Sequence, residues 1–332
     1  MAQLIDLEPL FADGYHNAFT DLLYWQGHYY LTFRTAQSHS IETPGDIRIY
    51  RSADLSTWTQ CAQFDTGGDD RDPKLIDGGT RLGVLFGAFY PRWKGRSRPN
   101  SETDLISCIA VSRDGLSWST PHQVFGPNYW LWRILPTPEG FYGAAYHFPS
   151  SRPHEGSIDL LFSEDLFNWR LKTRMRAGDD LSEPVLYRPK PDILCCIIRA
   201  KEPRNHSWIG RSPAPYDRWS WTDLGAMIHA PVVLKKNDRW LVAGRSQEED
   251  LPDGAFQRFD AKPTAHTTLW AVEDTGLAHL ITVPSAGDCS YCGLADGPNG
   301  EILMSYYSQH QRLPLPADPP TPADIFLARL SL

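Results

Sequence analysis

From Asp288 to Leu294 the chain reads DCSYCGL, and more than one chemistry competes for it. Cys289 and Cys292 have the spacing of half a zinc site or of a redox pair, while Tyr291 between them carries a phenol. A structural zinc needs a second pair of thiolates or imidazoles, and dithiol redox chemistry wants the pair at a helix start. Neither accompaniment is present: the other cysteines stand at 61, 108, 195 and 196, the last two adjacent inside an apolar run. The thiols therefore read as buried, no metal is expected, and Tyr291 becomes the reactive candidate. Glu183 in LSEPVL, with Arg199 sixteen residues later, and Arg71 beside Asp72 in DRDPKL add acids and bases. Taken singly each has a plainer role, since a Glu before Pro can simply cap a turn.

What positions these residues is a repeat of about fifty residues, which outranks any element-by-element reading. An apolar strand, then Ser-x-Asp, then a Trp recurs as IRIYRSADLSTW (47-58), CIAVSRDGLSW (108-118) and IDLLFSEDLFNW (158-169). It degenerates to SWIGRSPAPYDRW (207-219) and to TTLWAVEDTGL (267-277), which has lost the Trp. Each copy is preceded by two apolar runs joined by a Gly, Pro, Asn or Asp turn, a β-hairpin signature, and CGLADGPNGEILMSYYS begins a sixth. Six units of four short strands predict an all-β, six-bladed β-propeller of four-stranded antiparallel blades. The blades fall near 15-65, 68-125, 128-176, 181-225, 228-284 and 287-332, in a single domain over 1-332. The last unit shows three strands, and the N-terminal AQLIDLEPLF is expected to supply its fourth and close the ring. Asp54, Asp114, Asp165 and Asp217 recur with the repeat and so belong to the scaffold.

In a propeller the innermost strands converge on one mouth. Residues just before each first strand and just after each second strand then share a pocket. This rule selects Asn17, Asp21, Arg71, Asp72, Trp130, Trp132, Arg133, Glu183, His229 and Tyr291 before the first strands. After the second strands it selects Arg34, Tyr90, His147, Arg199, Arg245 and Tyr307. Several arginines at one mouth repel one another and resist desolvation, so they point to an anionic ligand, best held by guanidinium-carboxylate pairing. Trp130 and Trp132 are either core or a platform for a sugar ring.

The Ser-x-Asp-x-Gly-x-x-Trp phrases, Glu183 facing Arg199 across one hairpin, and Tyr291 ahead of a strand in GDCSYCGL resemble the six-bladed sialidases (neuraminidases). The resemblance spans the chain at the level of the repeat. It implies Tyr291 as nucleophile, Glu183 as the base that takes its proton, and Arg199 as one of three arginines gripping a sugar carboxylate. An anomeric carbon bearing a carboxylate repels an anionic nucleophile, so a phenol activated by a glutamate can replace the usual catalytic carboxylate. The chain departs from the family at the first arginine, where it has Asn17; Arg34 would cover that loss. Arg245 by placement, then Arg258 by spacing, would complete the triad, and the general acid would be Asp72 first and Asp46 second. Arg71, Trp130, Trp132, His147 and His229 are the remaining substrate-binding expectations.

Bulk properties bound the rest. The chain has 332 residues, a net charge of -8 and 12 tryptophans, with no dense basic stretch beyond a Gly/Ser/Pro-interrupted loop at 92-98. Nucleic acid and membranes are therefore not expected partners; an acidic glycan or small sugar is. Acids at Asp6 and Glu8 sit where an export signal would be basic, and no apolar run approaches a membrane span, so a cytoplasmic protein without cofactor is expected. The rival readings are a propeller glycosidase using Asp72 and Glu183 on a neutral sugar, a polysaccharide lyase, and a non-catalytic glycan-binding propeller.

Overall fold

The computed structural model describes residues 1–90, 105–147, 156–178, 181–201, 204–252, 264–274 and 276–332. After an N-terminal strand β1 (Gln3–Phe11), β2 (His16–Trp25), β3 (His28–Ala36), β4 (Asp46–Ser52) and β5 (Thr59–Phe64) form the first complete sheet. The second contains β6 (Asp69–Asp77), β7 (Leu82–Phe89), β8 (Leu105–Ser112) and β9 (His122–Val124). The third contains β10 (Tyr129–Thr137), β11 (Gly140–His147), β12 (Ser157–Ser163) and β13 (Trp169–Ala177). The fourth is built from β14 (Leu181–Lys190), β15 (Ile193–Ala200), β16 (Trp208–Pro213) and β17 (Ser220–Asp223). The fifth is β18 (His229–Lys236), β19 (Arg239–Gln247), β20 (Ala265–Glu273) and β21 (Gly276–Val283). Last come β22 (Ser290–Asp296), β23 (Ile302–Ser308) and β24 (Asp324–Ser331).

Every sheet is antiparallel, the first five as simple meanders, and the inner strands β2, β6, β10, β14, β18 and β22 pack side by side in that order until β22 returns to β2. The protein is an all-β six-bladed propeller, as the repeat predicts. Tight turns drive the hairpins: Gln26-Gly27 and Asn237-Asp238 both have positive φ at each residue, which suits the twist of two-residue connections. The Ser-x-Asp phrases are turns of the predicted kind. Asp54 accepts the backbone N–H groups of Ser56 and Thr57, and the Trp58 indole donates to the Leu55 carbonyl. Asp114 and Asp165 repeat the pattern with residues 116-117 and 167-168.

The sixth blade takes its outer strand from the other end of the chain, with β1 pairing antiparallel to β24 from Gln3↔Ser331 to Phe11↔Ile325. Without β1, the β24 backbone would become an open edge, ready to pair with another chain. Deleting residues 1–11 is therefore expected to lower the Tm by several degrees and to cause aggregation, read by thermal unfolding and light scattering. A soluble monomer of unchanged Tm would show the closure to be dispensable.

Candidate active site

Each of the six inner strands carries a register shift that begins within its first three residues at the mouth end: at 18/21, 71/74, 131/133, 182/185, 229/232 and 290/293. In five of them a non-glycine residue within the shift is forced into the left-handed region: Phe19 (φ 62), Asp72 (56), Glu183 (51), Ala230 (49) and Tyr291 (51). Left-handed φ strains a residue with a Cβ and persists only where surrounding structure enforces it. Here bulges turn one residue per blade out of the sheet pattern, and in three blades that residue is an acid or a phenol.

These residues meet. The Tyr291 hydroxyl donates to Glu183 Oε1 at 2.7 Å, and Arg199 Nη1 donates to the same oxygen at 2.6 Å and lies 3.4 Å from the Tyr291 hydroxyl. Glu183 Oε2 accepts the Ala230 N–H at 2.7 Å, so both its oxygens are engaged. All are buried or nearly so. Burial opposes the charge on Glu183, but Arg199 and the hydrogen bonds donated by Tyr291 and the Ala230 N–H outweigh it and hold its carboxyl at about 2. Burial and Glu183 together drive the Tyr291 hydroxyl well above a free phenol's range. The resting pair is thus phenol and carboxylate. His229 is held neutral at about 3, chiefly by burial and then by Arg199, and bonds Asn205 at 2.8 Å.

Asp72 is the third member. It is 5% exposed, its Oδ1 has no hydrogen-bond partner among the described residues, and burial raises it to about 6 against the pull of Lys74 and Arg71. Its electrostatic neighbours include Glu183, and those of Tyr291 include Asp72, so the three groups feel one another's charge. A carboxyl that keeps its proton near pH 6 beside an ionised carboxylate is the division of labour between acid and base that glycoside cleavage requires. Phe19 closes one side, its ring centroid 5.0 Å from that of Tyr291.

The arginines are less free than expected. Arg245 lies over the Tyr291 ring (5.0 Å), its Nη2 donating to Asp288 Oδ1 (2.8 Å) and the Tyr307 hydroxyl (2.9 Å), its Nε to the Cys289 carbonyl (2.9 Å). Arg71 pairs with Asp69 through Nε at 2.7 Å and reaches the His39 carbonyl. Arg34 is a correction: fully buried, it donates to Asp69 at 2.8 Å and to the carbonyls of Ser38 and Thr43, so it braces the β3–β4 loop and offers nothing to a ligand. Asn17, at the departure from the family pattern, bonds Asp13 and Thr35. Arg34→Met would leave Asp69 half-paired, a loss of about 3–5 kcal/mol. We expect a marked fall in denaturation midpoint with little change in KM for the folded fraction; a raised KM at unchanged stability would return Arg34 to the ligand.

Three further expectations are corrected. Asp46 lies on the third strand of its blade, bonded to Arg48 and Gln63, away from the cluster. Trp130 and Trp132 are core: Trp132 is 1% exposed with Lys74 over its ring, and Trp130 stacks on Tyr146. His147 stacks on Tyr129 at 4.1 Å, with Asp159 and Arg174 as its charged neighbours. Arg258 lies outside the described residues.

Lys74, Tyr146 and Asp288 escaped the sequence reading. Lys74 falls on the far side of the bulge that Asp72 occupies, and Tyr146, electrostatically coupled to Glu183, Asp72 and Tyr291, immediately precedes the His147 that the mouth rule selects. Asp288 gathers Arg245, the Tyr307 hydroxyl (2.6 Å), His16 (3.0 Å) and His39 (2.5 Å). His16, His39 and Asp288 present three donor atoms within 4.8 Å of one another, a set that suits a divalent transition metal, although here both imidazoles bond the Asp288 carboxylate. The Cys-x-x-Cys acts through its backbone: the thiols are buried and free, each pushed by burial up to about 12, while the Cys289 carbonyl holds Arg245 and the Cys292 carbonyl holds Arg133 at 3.0 Å. Gly293 follows because any Cβ there would strike the β2 backbone at Leu22.

No protein-family model matches the chain, and no curated protein matches it. Among solved structures it is similar over its full length, at 16% identity and a TM-score of 0.76, to a protein of unknown function from Dyadobacter fermentans, 99% of which is covered. It is also similar to the sialidase of Trypanosoma rangeli in complex with the inhibitor DANA (13% identity, TM-score 0.64), covering 98% of this chain and 58% of that one. The endosialidase of phage phi92 shares 11% identity and a TM-score of 0.65, covering 98% and 69%. At these identities the likeness is one of fold. The chain spans little more than half the length of the trypanosomal sialidase.

Proposed function

We propose that the protein is an exo-acting glycoside hydrolase that cleaves a terminal acidic sugar with retention of configuration, Tyr291 being its nucleophile. The observation that carries this reading is the Tyr291 hydroxyl 2.7 Å from Glu183 Oε1, with Arg199 on the same oxygen. In the first step the phenolic oxygen attacks the anomeric carbon, its proton passes to Glu183, and the departing glycosidic oxygen takes the proton of Asp72. In the second, the Asp72 carboxylate removes a proton from water as that water attacks the anomeric carbon. The C–O bond to Tyr291 breaks, and Glu183 returns the proton to the phenol. Arg199, Arg245 and Arg71 supply the positive field for the sugar carboxylate, each already oriented by an internal acid. The fold shared with sialidases supports the same reading.

A two-carboxylate inverting mechanism needs one acid free to deprotonate water. Both oxygens of Glu183 are occupied by Arg199, Tyr291 and the Ala230 N–H, which disfavours it for that role. The deciding experiment is hydrolysis of aryl glycosides, an α-sialoside beside neutral sugars, with the first-formed anomer identified by NMR. Turnover of the sialoside with retention, cut at least about 100-fold in Glu183→Gln, is the expected result. Inversion would exclude the tyrosine mechanism, turnover of neutral glycosides alone would exclude the acidic sugar, and binding without turnover would make the propeller a lectin.

A further inference from the structure

At the mouth end of β3 the chain enters a loop that carries His39, whose side chain is half exposed. Its imidazole meets the Phe19 ring edge-on at 5.3 Å, and Phe19 lies 5.0 Å from Tyr291, so imidazole and phenol pack on one shared ring. Two arginines flank it. Arg71 Nη2 donates to the His39 carbonyl at 3.0 Å. Arg245 and His39 divide the Asp288 carboxylate, Arg245 Nη2 donating to Oδ1 (2.8 Å) and His39 Nδ1 to Oδ2 (2.5 Å). His39 is also among the electrostatic neighbours of Asp72.

Neither the loop nor Asp288 needs this imidazole. The loop is braced through its backbone, with Arg34 donating to the Ser38 and Thr43 carbonyls and Arg71 to that of His39. Asp288 keeps three other donors, His16 Nε2 (3.0 Å), Arg245 and the Tyr307 hydroxyl (2.6 Å), and its N–H donates to Gln309 Oε1 at 2.8 Å. Burial opposes its charge, yet the bonds from His16 and His39 and the field of Arg245 outweigh it and hold the carboxyl well below the ordinary range. An ionised carboxylate only accepts, so the contact with His39 puts a proton on Nδ1. In a ring with that one proton Nε2 carries a lone pair, and it has no hydrogen-bond partner among the described residues. Fixing a half-exposed ring this way costs side-chain entropy, which a contact made by the second nitrogen would offset.

We propose that His39 is a further substrate-contacting residue, its imidazole oriented by Asp288 so that Nε2 accepts a hydrogen bond from a hydroxyl of the sugar bound beside Tyr291. A lone pair selects a donor, and hydroxyls are the donors a sugar offers. The same Asp288 carboxylate orients Arg245, so one buried acid sets the register of a cation and an acceptor against the ligand. The inference rests on the reading that the mouth binds an acidic sugar, and not on that sugar being cleaved.

His39→Asn and His39→Gln separate contact from scaffolding. The Asn amide can replace Nδ1 on Asp288 while nothing replaces Nε2; the longer Gln can return an acceptor toward the place of Nε2. With an aryl α-sialoside, His39→Asn should raise KM about 3–10-fold, the worth of one hydrogen bond, at little changed kcat and Tm, and His39→Gln should recover part of the loss. Among monodeoxy analogues of the sialoside, one should weaken binding to the unaltered protein by the same factor, and on that analogue His39→Asn should add nothing. Cleavage with KM unchanged in His39→Asn overturns the contact and leaves the hydrolase standing, as does a loss equal on every analogue. If the sialoside is bound but not cleaved, the hydrolase falls, and the same comparison of Kd by calorimetry decides the contact. A sialoside neither bound nor cleaved by the unaltered protein overturns both.

Discussion

Tyr291→Phe is expected to lower kcat by at least about 10³-fold on glycosides with poor leaving groups while leaving the protein folded. The substitution deletes one oxygen and no packing surface: the ring keeps its contacts with Phe19 (5.0 Å), Trp132 (6.2 Å) and the Arg245 guanidinium (5.0 Å). Glu183 loses a donor but retains Arg199 at 2.6 Å and the Ala230 N–H at 2.7 Å, so its charge stays compensated. The loss of stability should therefore stay near that of one hydrogen bond to a charged group, about 1.5–3 kcal/mol. A second readout separates the nucleophile from a merely structural phenol. A fluorinated acidic glycosyl fluoride should add one sugar to the peptide containing Tyr291 in the unaltered enzyme, and nothing in the variant. A variant within tenfold of the original kcat, or a label on another residue, would remove Tyr291 from the role.

The reach of the sequence follows from what a repeat does and does not encode. Strand, turn and Trp recur because every blade solves the same packing problem, so periodicity exposes blade number, strand count and the closing strand β1. The bulges are another matter. They arise from how a strand meets its neighbours in the ring, and nothing in DRDPKL, LSEPVL or DCSYCGL announces that Asp72, Glu183 and Tyr291 are the left-handed residues. Placement at the mouth therefore selected these three together with residues that merely sit nearby. Arg34 illustrates the limit: at a strand end it reads as a ligand-binding cation, and only the fold brings Asp69 to its guanidinium. Asp288 shows the reverse. It stands beside the Cys-x-x-Cys that draws the eye, yet it organises Arg245, Tyr307, His16 and His39 from four separate strands or loops.

Asp72→Asn should separate the reaction from the fold most sharply, because activity and stability are expected to move in opposite directions. As the proton donor, Asp72 matters most when the departing oxygen is basic. The variant should lose about 10²–10⁴-fold on alkyl or natural glycosides and far less on aryl glycosides with strongly acidic phenols. Asp72 acts in its protonated form, raised to about 6 chiefly by burial, so the rate of the unaltered enzyme should fall as pH rises above about 6. That limb should vanish in the variant. In the unfolded chain the same carboxyl titrates near 3.8. Below that value both states hold the proton; between it and about 6 only the folded protein does, so stability drains away as pH rises, by about 3 kcal/mol in all. Asparagine cannot ionise and carries none of this loss. The variant should therefore gain on the unaltered protein between about pH 4 and pH 6 and level off above it, as read by urea unfolding at several pH values. Equal losses across all leaving groups would assign Asp72 to binding instead of proton transfer, and a stability difference independent of pH would show that its proton is not held by the fold.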